Sequence, residues 1–270
     1  MSATHLIIGA GKMGGSLLSG WLDTQIISPK SLAVLDPAPG QAAQTAITNG
    51  AIHVTELPDI PASITTVLLA IKPQMVQDIG PQIAAYIPKD ALMISILAGT
   101  SLEQLHQVFG ARPIVRAMPN TPAAIGAGIT AITASIGQDD VHLSTAETLL
   151  SAGGMVYRVE NETMINAVTA VSGSGPAYIF HLCEAMEAAA LKVGLDETLA
   201  PIFARQTIIG AAKLLEDSEL SPSELRQNVT SPNGTTQAAL DELMNTNGLT
   251  PLMIKTVRAA FNRTKALAKT

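Results

Sequence analysis

Six residues, Gly9-Ala10-Gly11-Lys12-Met13-Gly14, carry a G-x-G-x-x-G spacing, which brings a diphosphate against a protein backbone. The first glycine permits a tight turn, the second lets the main chain approach the pyrophosphate, and the third lets helix and strand pack closely. Context decides whether such a pattern means anything. Here the apolar run Leu6-Ile7-Ile8 precedes it and a helical stretch, Ser16 to Leu22, follows. Amides at that helix N-terminus would face the phosphates; the plain alternative is an ordinary strand-to-helix turn. Asp36 closes the second apolar run, Leu32 to Leu35, where a carboxylate can take the adenosine ribose hydroxyls. Its charge repels a 2′-phosphate, which leans the cofactor towards NADH over NADPH. A solvent-facing Asp-Pro turn is the alternative there.

Further loops fall after later apolar runs. Ala70-Ile71-Lys72-Pro73-Gln74 follows Val67 to Ala70, and Ala98-Gly99 follows Met93 to Leu97. Pro119-Asn120-Thr121-Pro122 holds an equivalent place. Carboxyl ends of parallel strands line the ligand crevice, so these loops are expected near the nicotinamide half, although Lys72 also fits a solvated loop lysine. Late in the chain, Ser231-Pro232-Asn233-Gly234 leads into Thr235-Thr236 and the helical run Gln237 to Met244. A helix start there offers amides and a positive dipole end that hold a carboxylate without an arginine. A neighbouring hydroxyl, best Thr236, can then hydrogen-bond a ring nitrogen; threonines acting only as caps are the alternative. Ser172-Gly173-Ser174-Gly175-Pro176 reads equally as an interhelix turn or as a close approach to a ligand ring.

The missing chemistry is as informative. The five histidines share no motif, and His181-x-x-Glu184 has no second set of ligands, so no metal site is expected. No Ser/His/Asp or Cys/His arrangement is recognisable, and the single cysteine, Cys183, sits in an apolar run. Hydride transfer from an alcohol needs a base for the hydroxyl proton, usually His or Lys. A protonated imine already carries the charge that draws a hydride, and its reduction needs no such base.

The elements that must position these residues divide the chain. Short apolar runs alternate with helical stretches through the first 110 residues, the signature of an α/β Rossmann-type, doubly wound parallel sheet covered on both faces, and further strand-like runs extend this domain over residues 1–160. Residues 161–270 read as an all-helical domain: Ser221-Pro222-Ser223-Glu224 is a capping box with proline at the first helical position, and Gly194 reads as a helix stop. The stretch Ala177 to Val193 is so apolar that it should be buried nearly all round, which implies a partner subunit. The net charge of −6 argues against nucleic acid, because phosphate binding needs a basic stripe. Arg112 and Arg116 lie close together, but no basic run extends them. The opening residues lack the features of a secretion signal, and no uncharged stretch reaches the ~18 apolar residues of a membrane span. A cytoplasmic location, away from membranes, is expected.

Four segments together resemble the pyrroline-5-carboxylate reductase family: Gly9–Gly14, Ala170–Tyr178, Val193-Gly194-Leu195 and Asn228–Thr236. Ile71-Lys72-Pro73 and Pro119–Pro122 also match, and the resemblance runs over essentially the whole chain. It implies reduction of 1-pyrroline-5-carboxylate to L-proline with NADPH or NADH. It further implies cofactor contacts from Ile8, Gly9, Ala10, Gly11, Lys12 and Met13, from Ala70 to Pro73 and from Asn228. Substrate or product contacts would come from Glu162, Thr235 and Thr236. Our reading of the residues adds Gly14, Asp36 and Ala98 to the cofactor set and Ser174 and Gly175 to the substrate set, with Thr236 as the catalytic group. The family forms domain-exchanged homodimers, often assembled into rings, with substrate sites shared between subunits. Two positions depart from the pattern. Members commonly carry a small polar residue in place of Asp36, in keeping with their frequent NADPH preference, and an asparagine often found near the equivalent of Leu57 is absent. A β-hydroxyacid dehydrogenase would share the two-domain plan, but the lysine it needs is missing between Pro176 and Glu184. A non-catalytic redox sensor would have no need of the Asn228–Thr236 segment.

Overall fold

The computed structural model describes residues 3–135 and 140–267, and the chain separates into two compact units, Met1–Ser174 with Ala260–Thr270, and Gly175–Ala259. Among the described residues the first unit is built on eight strands: β1 (His5–Ile8), β2 (Leu32–Leu35), β3 (Ile52–Val54), β4 (Thr66–Leu69), β5 (Leu92–Ser95), β6 (Ile114–Met118), β7 (Gly128–Ala134) and β8 (Gly154–Arg158). Their order across the sheet is β3-β2-β1-β4-β5-β6-β7-β8. The chain therefore reverses direction of travel at β1, and loops at the carboxyl ends beside it line the ligand crevice of such sheets. Helices α1 (Lys12–Asp23), α2 (Gln41–Thr48), α3 (Val76–Ala84), α4 (Leu102–Phe109) and α5 (Asp140–Leu150) cover the sheet.

The apolar runs behave as two-sided burial demands. Leu6, Ile7 and Ile8 are each exposed by 1% or less, contributing roughly 1.5–3 kcal/mol apiece to folding. Ile7 belongs to one core with Leu17, Trp21 and Leu150, and Leu6 and Ile8 to another with Val67, Met93 and Phe109. Trp21 Nε1 donates to the Leu149 carbonyl at 2.7 Å, pinning α1 to α5. A capping box fixes the start of α4, with Ser101 Oγ accepting from the Gln104 amide and Gln104 Oε1 from the Ser101 amide.

Two features depart from the pattern reading. β6 and β7 pair antiparallel, unlike every other neighbouring pair, because the segment between them holds only a short 3-10 turn, Thr121–Ile125. A parallel return needs a crossover of a dozen residues or more. The short edge strand β3 is the other, with Ile52 and His53 exposed, so no apolar run marks it. Beyond β8, α6 (Glu162–Val168) and a π-helical turn, Thr169–Gly173, still belong to the first unit. Ile165 and Ala170 are fully buried, which explains why compactness extends past residue 160.

The second unit is helical: α7 (Gly175–Lys192), α8 (Leu199–Asp217), α9 (Pro222–Asn228), α10 (Thr235–Leu243) and the start of α11 (Leu249–Leu267). Gly194 at φ +105° ends α7, and Asp196 Oδ1 accepts the Thr198 and Leu199 amides at the entrance to α8. The capping box at α9 forms as expected, Glu224 accepting from the Ser221 amide at 2.8 Å. α7 buries none of its residues, leaving Phe180 65% and Ile179 48% exposed, while α8 exposes Ile202 and Phe203 at 57% and 56%. Among the described residues no helix is long and apolar enough to cross a membrane.

Candidate active site

The turn from β1 into α1 has the shape its glycines demand. Gly9 sits at φ +86°, where a Cβ would meet the Ala70 carbonyl at 2.8 Å, and a Cβ on Gly14 would lie 2.2 Å from the Gly9 oxygen. Both positions exclude any side chain. Around Gly11, by contrast, a Cβ would meet nothing within 4 Å. Its side of the loop is open, the condition for a diphosphate to approach the backbone. Gly11 is also the N-cap of α1, with no side chain capping the helix, so the first amides remain available to an anion.

Asp36 is bound into the same loop. Its Oδ2 accepts the Ala10 amide at 2.6 Å and its Oδ1 the Ala38 amide at 2.8 Å. The carboxylate thus serves both as the turn after β2 and as a fixed anion beside the glycine loop. A cavity of about 690 Å³ is lined by Ile8, Gly9, Gly11, Asp36, Ile71 and Lys72, with Leu57, Met75 and Ile79 adding apolar walls. A second, about 860 Å³, opens beyond Ala10, Gly11 and Lys12 along α1 and α2. Pro73 and Ala98 border a third of about 460 Å³ with Gly99 and Thr100. Gly9 to Lys12, Asp36, Ala70 to Lys72, Pro73 and Ala98 therefore surround neighbouring spaces at one end of the sheet, while Met13 and Gly14 lie in the first turns of α1. A dinucleotide fits this set: an anion cradle at Gly11, a carboxylate for a ribose and an apolar slot for a base.

Further along the same sheet end lie two buried polar residues, Arg116 and Asn120, whose partners sequence reading did not assign. Arg116 on β6 is buried, and its Nη1 donates to Glu162 Oε1 at 2.7 Å. The same oxygen accepts the Leu102 amide at 2.8 Å, which ties Glu162, the first residue of α6, to β6 and α4 at once. Asn120 is nine-tenths buried; its Oδ1 accepts the Ile129 amide at 2.9 Å and its Nδ2 donates to the Ser172 carbonyl. That clamp holds the π-helical turn immediately before Ser174, whose amide donates to the Thr169 carbonyl at 2.9 Å. A polar residue inside an apolar strand was the available signal for Arg116. Arg112 is likewise turned inward, donating to the carbonyls of Phe109, Ala84 and Ile87. Neither guanidinium contributes to a basic surface.

In the second unit, Asn228 closes α9 and Asn233, at φ +59°, turns the chain into α10. The N-cap of α10 is Gly234, without a side-chain cap, and the first turn carries no acid. Thr235 and Thr236 are the first two helical residues and do not cap the helix; Thr235 is exposed and Thr236 half-buried. The helix start expected to take a carboxylate is present and its amides are uncapped. Gly175 begins α7. His181 pairs with Glu184 at 3.0 Å on the exposed face of that helix, and among the described residues no cluster of three or more His, Cys, Asp or Glu is placed to hold a metal ion.

A glycine-loop sheet with an acid at the second strand, joined to a helical unit, defines an NAD(P)-dependent oxidoreductase. The pyrroline-5-carboxylate reductase of Pseudomonas aeruginosa is 39% identical over 97% of this chain and 96% of its own. The chain belongs to the pyrroline-5-carboxylate reductase family. A family model described as pyrroline-5-carboxylate reductase dimerisation matches residues 162–267, and one described as NADP oxidoreductase, coenzyme F420-dependent, matches residues 5–99. Among solved structures, a pyrroline-5-carboxylate reductase from Coxiella burnetii superposes with TM-score 0.90 at 33% identity, covering 99% of both chains. A Plasmodium falciparum pyrroline carboxylate reductase, solved with NADP bound, gives 0.84 at 25% identity over 98% of both.

Proposed function

We propose that this protein reduces the C=N bond of 1-pyrroline-5-carboxylate to give L-proline, in the cytoplasm, as a homodimer or ring of dimers with each site shared between subunits. The observation that carries the reading is the start of α10: uncapped amides, no acid in the first turn and a half-buried hydroxyl at Thr236, in a chain whose relatives are named for this reaction. NAD(P)H supplies the hydride. Gly9 to Gly14 hold its diphosphate, Asp36 its adenosine ribose, Ala70 to Pro73 with Ala98 its nicotinamide half, and Asn228 adds a further contact.

The substrate combines a carboxylate and a protonated imine. The amides of Thr235 and Thr236 hold the carboxylate through the helix dipole and direct hydrogen bonds. The Thr236 hydroxyl donates to the lone pair that develops on the ring nitrogen as the hydride arrives, and it turns the imine carbon towards the cofactor. Glu162 offers a carboxylate to the same nitrogen, and Ser174 and Gly175 close around the ring. The nitrogen keeps its proton as the C=N bond becomes C–N, so no general base is required. The exposed apolar faces of α7 and α8 support assembly with a second copy.

Asp36 sets the cofactor preference in this reading. Held by the Ala10 and Ala38 amides, it stands as a fixed anion at the ribose, where it repels a 2′-phosphate; NADH is favoured. The decisive experiment follows the absorbance of NADH and NADPH with pyrroline-5-carboxylate present. Substrate-dependent oxidation with proline as product is expected; nucleotide binding without turnover would refute the assignment.

A further inference from the structure

Arg116 sits in the middle of β6 with only 2% of its side chain exposed, against 30% for its partner Glu162. Removing a guanidinium from water is costly, and a buried ion pair replaced by apolar residues of similar volume is often no less stable. The pair is therefore a poor device for holding the fold together. What it does well is fix an orientation. Three donors converge on one side of α6: Arg116 Nη1 and the Leu102 amide both end on Glu162 Oε1, and Arg116 Nη2 reaches Asn166 Oδ1 at 3.4 Å, one turn further along α6. All of these bonds take Oε1 or the neighbouring amide. None takes Oε2.

We propose that Arg116 is a positioning residue for imine reduction: by holding Oε1 of Glu162, it presents Oε2 as the acceptor for the N–H of the protonated ring nitrogen. The inference rests on the reading of Glu162 as a substrate contact and adds how that carboxylate is aimed. A charged N–H calls for a charged acceptor in a fixed place, and charge-assisted hydrogen bonds are the stronger and more directional kind. An untethered glutamate with its rotamers open would lose part of that interaction to ordering. The Leu102 amide alone leaves the side chain able to turn about a single bond; the guanidinium adds the second anchor. Lysine would supply the charge without the planar fork that reaches Oε1 and Asn166 together.

The test uses the full-length protein in four variants: Glu162→Gln, Arg116→Met, Arg116→Lys, and Arg116→Met combined with Glu162→Gln. Each is measured for melting temperature, NADH dissociation constant, and kcat and KM for pyrroline-5-carboxylate. Glu162→Gln keeps an oxygen for Arg116 and Leu102 and replaces Oε2 by a donor, so kcat/KM should fall about 30-fold or more while the cofactor affinity stays put. Arg116→Met should raise the imine KM about tenfold with a smaller change in kcat and an unchanged NADH constant, and Arg116→Lys should restore part of the loss. The double variant should be no worse than Glu162→Gln alone, since nothing remains to aim. Wild-type KM in both Arg116 variants, with Glu162→Gln impaired, overturns the positioning role and leaves the substrate contact standing. Full activity in Glu162→Gln overturns the contact and the proposal with it. A weakening of NADH in step with KM marks a general structural defect and also overturns it; should Arg116→Met fail to fold, the lysine variant carries the comparison.

Discussion

The two compact units solve the burial problem in opposite ways. In the nucleotide-binding unit the central strands are closed on both faces: β4 and β5 are buried throughout, and even Arg112 and Arg116 are turned inward on carbonyls and a carboxylate. In the helical unit α7 buries nothing and presents phenylalanine and isoleucine to the outside. A surface that apolar is a binding surface, because the same side chains in contact with water forfeit roughly 25 cal/mol per Å². The first unit is complete as a fold. The second leaves apolar faces exposed, in a region matched by a dimerisation family model.

That contrast can be broken at either end. Gly14→Ala places a methyl 2.2 Å from the Gly9 oxygen, a clash between backbone and side chain with no flexible atom to yield. Loss of the folded nucleotide-binding unit is expected, at about 4 kcal/mol or more, and circular dichroism melting reads it. Phe180→Asp puts a charge on the exposed face of α7. It should leave the first unit folded and weaken self-association by about 2–4 kcal/mol, roughly 30- to 1,000-fold; sedimentation would show monomers at micromolar concentration. A variant that stays dimeric would move the interface elsewhere. Thr236→Ala is expected to keep melting temperature and assembly and to lower kcat by about 10- to 100-fold, the loss of one hydrogen bond to a charged group. Full activity would remove the hydroxyl from the mechanism. The smallest effect is Asp36→Ser, which should shift the NADPH-to-NADH ratio of kcat/KM towards NADPH by about tenfold, through loss of a like-charge contact. An unchanged ratio would show that the carboxylate serves only the Ala10 and Ala38 amides.

How much was legible beforehand follows the range of the interactions. The glycine loop, the buried strands and the capping box at Ser221 are local patterns, each fixed by a few neighbouring residues, and each appears where the sequence places it. The apolar α7 is legible too, since hydrophobicity on all sides of a helix needs no partner to be seen. The antiparallel junction of β6 and β7 was not, because it depends on the length of a connection whose ends are known only once both strands are placed. Arg116 reads in sequence as one of two scattered cations beside Pro113. Its meaning comes from Glu162 and Leu102, distant in the chain and brought together by the sheet. Asn120 is similar: within a Pro-Asn-Thr-Pro turn it suggests loop chemistry, and only the fold shows it clamping the turn before Ser174. For the threonines, sequence left open whether they cap α10, and the geometry assigns the N-cap to Gly234.

The shared-site claim has one direct test, a complementation between two impaired variants. Gly11→Asp adds an anion in the diphosphate cradle at a residue with φ −69° and open space around its Cβ, so the chain folds but cannot hold the cofactor. Thr236→Ala disables the substrate end. When the two are unfolded and refolded together in equal amounts, sites built from one copy's nucleotide unit and the other's α10 regain about a quarter of wild-type activity, because half the dimers are mixed and each restores one of two sites. Recovery near that level is the predicted result; a mixture no more active than the average of its two components would contradict it.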